Sequence, residues 1–181
     1  FRHGIFNINS IDSFNKATKN YKFKAADSQV ASRWGNITDY KNFDLITPNE
    51  KEARFSTGDQ DGNVRNLTLE LFLKSSAKNI ILKLGERGIY STKPSENQKL
   101  FYAISLDSFV EKVVDPVGAG DALLAYASLS YSVSSSIEIS SIIGSVAAAI
   151  ETELEGNVPV SSNDIINRLK KIKEYSKYKN K

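Results

Sequence analysis

The sequence contains no cysteine and no methionine in 181 residues, and only four prolines. Without cysteine, disulfide bonds and thiolate metal sites are excluded, and a cytoplasmic protein is the plainest expectation. No apolar run approaches the roughly 18 residues that a membrane-spanning helix needs, so we expect no membrane partner. Because the chain begins at Phe1 and lacks methionine, we expect a fragment or a processed chain.

Positive charge is concentrated at the C-terminal end. The formal net charge is +3, but residues 168–181 hold seven of the 24 basic residues and one of the 21 acidic residues. The rest of the chain has 17 basic and 20 acidic residues and is therefore slightly acidic. Such a tail is more typical of a solvated helix end than of a nucleic-acid site, so we expect no nucleic-acid partner.

What is present is the composition of a globular domain, with 40% hydrophobic and 25% charged residues. Apolar runs alternate with segments of helical spacing, which predicts a parallel α/β sheet and a single domain over residues 1–181. The predicted strands lie at 23–27, 43–47 and 79–84, and the predicted helices at 11–17 after a Ser10 cap, 49–58 and 67–76.

The second half predicts a different order of elements. Two runs, 88–92 and 100–104, are typical of a hairpin, and the β-branched run 109–114 predicts a further strand. Two long helices and a final amphipathic helix complete the prediction, at 121–131, at 137–154 and after a Ser162-Asn163-Asp164 cap.

The stretch from Val113 to Leu124 carries the clearest chemical signal. A β-branched run stops at Asp115, a glycine-rich turn follows, and a helix of small residues begins after it. Glycines at 118 and 120 permit unusual dihedrals and leave no Cβ in the way of a ligand. Amides of such a turn and the positive end of the helix dipole together favour an anion such as a phosphoryl group.

Asp121 has two interpretations at this point. A carboxylate beside bound phosphate is costly unless it acts as a general base for an attacking hydroxyl. Alternatively, it is an ordinary acid in the first helical turn, where the dipole favours it. Other phosphate motifs are excluded, because no Gly-Lys-Ser/Thr ending exists and the dinucleotide fingerprint would need a small residue at Leu123.

Residues 115–121 resemble the Asp-Thr-x-Gly-Ala-Gly-Asp signature of ribokinase-like (PfkB) carbohydrate kinases, with Pro116 in place of the usual threonine. Further segments resemble the family in the same order. They are Arg2-His3-Gly4, the Ala26–Gln29 turn, Asn49 to Glu52 as an Asn-x-x-Glu motif, Leu82 to Gly88 as a Thr-Leu-Gly-x-x-Gly turn, and Ala147 to Pro159 as the alanine-rich helix and the loop beside the adenine.

The resemblance implies a three-layer ribokinase-like α/β fold with a mainly parallel central sheet. It covers a little more than the C-terminal half of a typical member, so the N-terminal part with the first strands and the small β lid is expected to be missing. The implied activity is ATP-dependent phosphoryl transfer to a sugar or sugar phosphate. A homodimer through the missing lid and inactivity of this chain alone are further expectations.

The family's functional residues map onto matching positions. Asp121 resembles the catalytic base, and Gly118, Ala119 and Gly120 resemble the anion hole. The resemblance implies contacts with ATP and its phosphates at Lys83, Gly85, Gly88, Asn49, Gly156 and Asn157, and metal roles at Glu52 for Mg²⁺ and at Asp115 for a monovalent cation such as K⁺. Two alternatives stay open: Glu52 as an exposed acid on the helix surface, and Lys83 as a side chain that simply extends from the strand end.

The run from Ala31 to Gly35, followed by Thr47-Pro48-Asn49, is similar to the heptose-7-phosphate kinase branch of the family. We therefore expect that branch first, with Arg33 near a phosphate or in a surface ion pair. Ribokinase, fructokinase and nucleoside kinase are alternatives within the family. A non-catalytic nucleotide-binding module is the alternative from another class.

Overall fold

The computed structural model describes residues 8–28, 36–95, 101–156 and 158–179. The chain forms two compact units, residues 1–107 and 108–181. The strands are β1 (Ala25–Ala26), β2 (Leu45–Ile46), β3 (Ile80–Lys83), β4 (Ile89–Pro94) and β5 (Phe101–Leu106), and the helices are α1 (Ile8–Ala17), α2 (Glu50–Thr57), α3 (Val64–Ser75), α4 (Ala119–Ser134), α5 (Ile137–Thr152) and α6 (Ser162–Lys179).

The first unit contains a five-stranded sheet in the order β1-β2-β3-β4-β5. β1, β2 and β3 are parallel, whereas β4 pairs antiparallel with both β3 and β5. Ile80, Ile81 and Leu82 are fully buried, so β3 exposes neither face, as expected of a central strand in a layered sheet. The predicted α/β class is confirmed, as is a parallel sheet followed by a hairpin.

Helices pack on this sheet through one apolar cluster. It joins Ile11 of α1 and Leu67 and Leu71 of α3 to Ile46 and Ile80 of the strands. Asn49 caps the start of α2, where its side chain accepts a hydrogen bond from the Glu52 amide, and Gly58 caps the end of α2 in the left-handed conformation. The crossover from β2 through α2 and α3 to β3 places the ends of the parallel strands at one edge of the sheet.

The second unit is helical in its described residues. An apolar cluster joins α5 to α6 through Val146, Ala147, Ile150 and Ile165, with Tyr126 of α4 against it. Ser161 and Asp164 form a reciprocal cap at the start of α6, with the Ser161 hydroxyl 2.5 Å from the Asp164 carboxylate. None of the described helices is long and apolar enough to span a membrane.

The predicted strand at 109–114 is wrong. These residues form an irregular segment, in which the amides of Glu111 and Val114 bond to the end of α5 and not to a neighbouring strand. The Glu111 amide donates to the Glu153 carboxylate at 2.7 Å, and the Val114 amide donates to the Thr152 carbonyl at 2.9 Å.

Several predicted boundaries also shift by a few residues. Ser10 lies inside α1 and does not cap it, and α3 starts earlier than predicted because Asn63 caps it. α4 starts at Ala119, two residues before Asp121, and α6 starts at Ser162 with Ser161 as its cap. For α3, α4 and α6 the start is set by a capping side chain or glycine that the hydrophobic pattern alone does not locate.

Candidate functional site

The glycine-rich turn of the second unit forms the start of α4. Gly118 has φ of 92°, a conformation that side-chain-bearing residues rarely adopt. The first bond of the helix joins the Ala122 amide to the Gly118 carbonyl at 2.9 Å. Helix geometry therefore provides no intrahelical acceptor for the amides of Gly120 and Asp121. These donors and the positive end of the helix dipole can hold an anion.

Asp121 is the third residue of α4, and its side chain is exposed. The carboxylate thus belongs to the same helical turn as the amides of Gly120 and Asp121. An acid in this place interacts favourably with the helix dipole and is also free to accept a proton from a hydroxyl that approaches the bound anion. The turn brings Gly118, Ala119, Gly120 and Asp121 together, as the sequence predicts.

Asp115 fixes the entry to this turn. Its carboxylate oxygen Oδ1 accepts a hydrogen bond from the Val117 amide at 3.0 Å, and its own amide donates to the Thr152 carbonyl at 3.0 Å. One carboxylate oxygen of Asp115 is therefore used inside the turn, and the other has the chemistry of a cation ligand. Pro116 at the next position donates no hydrogen bond and does not interrupt this arrangement.

In the first unit, Asn49 and Glu52 form a capping box at the start of α2. The Glu52 amide donates to Asn49 Oδ1 at 2.9 Å, and the Asn49 amide donates to Glu52 Oε2 at 2.7 Å. Glu52 is 3% exposed, so the alternative that it is an exposed acid on the helix surface is wrong. The box holds a carboxylate at the carboxyl edge of the parallel strands.

The Glu52 carboxylate has the chemistry of a ligand for a magnesium ion that also binds substrate phosphates. Among the described residues, no three His, Asp or Glu side chains are grouped so that they could hold a metal ion. Mg²⁺ in phosphoryl-transfer sites commonly takes one or two carboxylates and completes its shell with substrate phosphates and water. Glu52 supplies the oxygen chemistry that such an ion prefers.

Lys83 lies at the end of β3 beside the Asn49 turn. Its amide donates to the Pro48 carbonyl at 2.8 Å, and a backbone bridge pairs it with Asn49. Its ammonium does not simply extend into solvent, because Nζ lies 2.5 Å from Asp27 Oδ2 and both side chains are less than a fifth exposed. The pair crosses β2 and links the carboxyl ends of β1 and β3.

The sequence prediction gave Asp27 no role. The available signal was its place directly after β1, since the carboxyl ends of parallel strands meet at one edge. Asp27, Asn49, Glu52 and Lys83 thus share the edge at which ligands bind in open α/β sheets.

Gly85 and Gly88 form the tight turn that follows. Both have positive φ, 63° and 80°, and the Leu84 amide donates to the Gly88 carbonyl at 2.8 Å. A Cβ built on Gly85 would meet no atom within 4 Å, so its backbone faces open space. This turn gives a ligand close access to the main chain.

The last predicted contacts are on the loop after α5. Gly156 has φ of 75° and is exposed. Asn157 lies outside the described residues. The structure therefore assembles two groups of predicted residues: Asn49, Glu52, Lys83, Gly85 and Gly88 in the first unit, and Asp115 with Gly118 to Asp121 in the second.

Known proteins are similar to this chain over most of its length. A family model described as pfkB family carbohydrate kinase matches residues 10–163. A search of curated proteins found no match. Among solved structures, ribokinase from Thermotoga maritima is similar with a TM-score of 0.73 and 21% identity, over 92% of this chain and 60% of that one.

Two further structures show the same similarity. Phosphofructokinase-2 from Escherichia coli in complex with potassium has a TM-score of 0.75 and 21% identity, over 90% of this chain and 52% of that one. Ribokinase from Arabidopsis thaliana complexed with ribose and ATP has a TM-score of 0.70 and 22% identity, over 91% of this chain and 52% of that one.

At these identities the structural similarity shows a shared ribokinase-like fold, which confirms the predicted fold class. The chain spans between 52% and 60% of the length of these three structures. The family model covers 154 consecutive residues, including Asn49, Lys83 and Asp121. The chain belongs to the pfkB family of carbohydrate kinases.

Proposed function

We propose that the full-length protein transfers the γ-phosphoryl group of ATP to a hydroxyl of a sugar or sugar phosphate. The observation that carries the proposal is the start of α4, where amides without helical acceptors and the Asp121 carboxylate share one turn. Phosphoryl transfer needs stabilisation of charge on the transferring group and a group that orients or deprotonates the nucleophile. This turn combines both.

In this proposal the backbone of the turn binds the transferring group and the Asp121 side chain acts on the acceptor hydroxyl. The Gly120 and Asp121 amides donate to oxygens of the transferring group, and Gly118 allows the backbone to bend around them. Asp121 accepts the proton of the acceptor hydroxyl as its oxygen engages phosphorus. General-base catalysis of this kind contributes about 10²- to 10⁴-fold in rate.

The family resemblance assigns nucleotide contacts to Lys83, Gly85 and Gly88 in the first unit and to Gly156 and Asn157 in the second. Within the first unit, the Gly85 to Gly88 turn gives a phosphate access to the main chain. The Lys83 ammonium contributes a positive charge there, and Asp27 holds it in place through their ion pair. Asn49 acts through the capping box, because its side chain already accepts the Glu52 amide.

The proposal includes two cations. Mg²⁺, when bound, neutralises charge on the phosphates, and Glu52 would hold it through water. A monovalent cation such as K⁺ would be held at the turn by Asp115, whose second carboxylate oxygen suits it. We expect turnover to require Mg²⁺ and to rise when K⁺ replaces a bulky organic cation.

A heptose 7-phosphate is the acceptor that we propose first. The support is the sequence similarity of residues 31–35 and of Thr47-Pro48-Asn49 to that branch of the family. Residues 31–35, with Arg33, lie outside the described residues. Ribose, fructose and nucleosides are the alternatives.

The experiment is an acceptor panel with the full-length protein, ATP and Mg²⁺, followed by coupled detection of ADP. Heptose 7-phosphate, ribose, fructose, fructose 6-phosphate and adenosine are compared at equal concentration. We expect one sugar or sugar phosphate to raise ADP release at least tenfold above the rate without acceptor. ATP binding with no acceptor-dependent turnover would instead support a non-catalytic nucleotide-binding module.

A further inference from the structure

Arg168 of α6 joins three segments of the second unit. Its guanidinium forms a two-pronged ion pair with Glu153, in which Nη1 lies 3.2 Å from Oε1 and Nη2 contacts Oε2. Nη1 also lies 3.4 Å from the Phe109 carbonyl and 3.4 Å from Glu111 Oε1. The Arg168 and Glu153 side chains are 13% and 17% exposed, which makes this a largely enclosed pair.

The same network continues along the segment that leads to the glycine-rich turn. Glu153 Oε1 accepts the Glu111 amide at 2.7 Å. One residue before Glu153, the Thr152 carbonyl accepts the amides of both Val114 and Asp115, at 2.9 Å and 3.0 Å. Asp115 then accepts the Val117 amide, directly before Gly118. Hydrogen bonds therefore hold the segment at Phe109, at Glu111 and at residues 114–117. The last of these residues lead directly into α4.

Beyond Phe109, which packs against the apolar cluster of α5 and α6, the segment has little else to fix it. Glu111, Val113, Val114 and Val117 are exposed, so apolar burial contributes little from Glu111 onward. The helices behind it are held separately, by the apolar cluster of Val146, Ala147, Ile150 and Ile165. Removal of the ion pair should therefore loosen the segment and leave the docking of α6 largely in place.

We propose that Arg168, acting through Glu153, is a positioning residue for the anion-binding turn from Gly118 to Asp121. This inference rests on the proposed phosphoryl transfer. Arginine suits the task because its planar fork contacts both carboxylate oxygens and a carbonyl at once, which a lysine ammonium does not do. The pKa of Glu153 agrees: burial raises it, but the hydrogen bonds from Arg168 and from the Glu111 amide outweigh burial and lower it overall.

The test compares Arg168→Gln, Arg168→Lys and Glu153→Gln in the full-length protein, with Lys170→Gln as a matched loss of charge from an exposed position of α6. We expect kcat to fall about 10- to 100-fold in Arg168→Gln and Glu153→Gln, since a displacement of about 1 Å can cost a factor of 10². We expect KM for ATP to change less than about threefold, because most nucleotide contacts lie in the first unit. Arg168→Lys should fall in between, and Lys170→Gln should match the wild type.

A double variant, Arg168→Gln with Glu153→Gln, shows whether the two residues act as one unit or affect kcat independently. We expect its kcat to be no lower than that of either single variant, because residues that act as a unit are not additive. A kcat loss equal to the product of the two single losses would contradict the proposal. So would a folded Arg168→Gln protein with the kcat of the wild type.

Hydrogen exchange gives a readout that does not depend on turnover. In Arg168→Gln we expect faster exchange at the hydrogen-bonded amides of Glu111, Val114, Asp115 and Val117, with the interior of α5 unchanged. Equal acceleration throughout α4, α5 and α6, or no change at these four amides, would overturn the inference. If the wild type shows no turnover with any acceptor, the proposed function fails, while the exchange pattern still decides whether Arg168 positions the segment.

Discussion

Glu52 illustrates how one side chain can serve both the fold and the proposed chemistry. Its carboxylate accepts the Asn49 amide and is nearly inaccessible, yet it lies at the sheet edge that we propose for the phosphates. The two tasks need different properties of the side chain. Capping needs an oxygen acceptor, whereas a magnesium site needs a negative charge.

Substitutions at Glu52 should separate these tasks. Glu52→Gln keeps an acceptor for the Asn49 amide, so we expect a loss of less than about 1 kcal/mol in the free energy of unfolding and a clear loss of Mg²⁺-dependent turnover. Glu52→Ala leaves that amide without its acceptor, and we expect a loss of about 1–3 kcal/mol. Urea denaturation and Mg²⁺ titrations of turnover measure both, with exposed Glu174→Gln as the control. Full activity in Glu52→Gln would contradict the magnesium role.

Single residues were predictable from sequence only where the signal was local. The Asn-x-x-Glu spacing predicts a helix start, and the structure has the complete capping box at that place. The burial of Glu52 and the pairing of Lys83 with Asp27 depend on tertiary structure. The latter two residues are 56 positions apart, and only the parallel arrangement of β1, β2 and β3 brings them together.

Among the elements, the contact between α4 and α5 depends on a glycine. A Cβ on Gly144 would lie 3.0 Å from the Ala127 Cβ and 3.1 Å from the Leu123 carbonyl oxygen. Since α4 carries the proposed anion-binding turn at its start, the spacing of the two helices bears on the proposed site. The small side chain at 144 sets how closely they approach.

A larger residue at this position should be destabilising. We expect Gly144→Val to lower the free energy of unfolding by about 1–3 kcal/mol, because overpacked methyl groups force backbone or rotamer shifts. Ala125→Val adds the same β-branched side chain at an exposed position of α4 and serves as the control. Denaturant unfolding compares the two. Equal stability of Gly144→Val and the control would show that the helices can separate without cost.

The ion pair of Glu153 predicts an acid-sensitive contribution to stability. Its pKa is lower in the folded state, so the pair stabilises the protein above the ordinary value of 4.5 and this contribution is lost as pH falls below it. We expect the stability difference between the wild type and Glu153→Gln to be largest near neutral pH and to shrink below about pH 4.5. Denaturation at a series of pH values measures it. A difference that stays constant down to about pH 3 would contradict the account.

The sequence predicts the type of most helices and strands, but it predicts their boundaries less well. Alternating apolar runs and helical spacing predict the sheet, the hairpin and most of the helices. The β-branched run at 109–114 leads to a wrong strand prediction. β-Branched residues favour a strand only where they pack well against a neighbouring strand. Here the amides of this segment bond to Glu153 and Thr152, and both are more than 35 residues away in sequence.

For the molecule as a whole, the chain matches only part of the length of the similar solved structures, and this limits the activity that we expect of it. It covers 52% to 60% of the three solved structures compared above, so the rest of those proteins has no counterpart in these 181 residues. The sequence could identify the family and the candidate residues for nucleotide binding and catalysis. It could not supply the acceptor, because few of the residues that would contact a sugar are identifiable in this chain.

We therefore expect the 181-residue chain by itself to show no sugar-dependent ADP release. Coupled assays with and without each acceptor measure this directly, and ATP binding by the same chain is measured by calorimetry. A sugar-dependent rate clearly above background would show that these residues alone form a complete active site.

The proposed function depends above all on Asp121 acting as a base beside bound phosphate. The decisive measurement is kcat of Asp121→Asn in the full-length protein with its best acceptor, together with the ATP dissociation constant and with exposed Asp61→Asn as the control. We predict a fall in kcat of about 10²- to 10⁴-fold with ATP affinity changed less than about threefold. A folded Asp121→Asn protein that turns over at the wild-type rate would contradict the proposed mechanism.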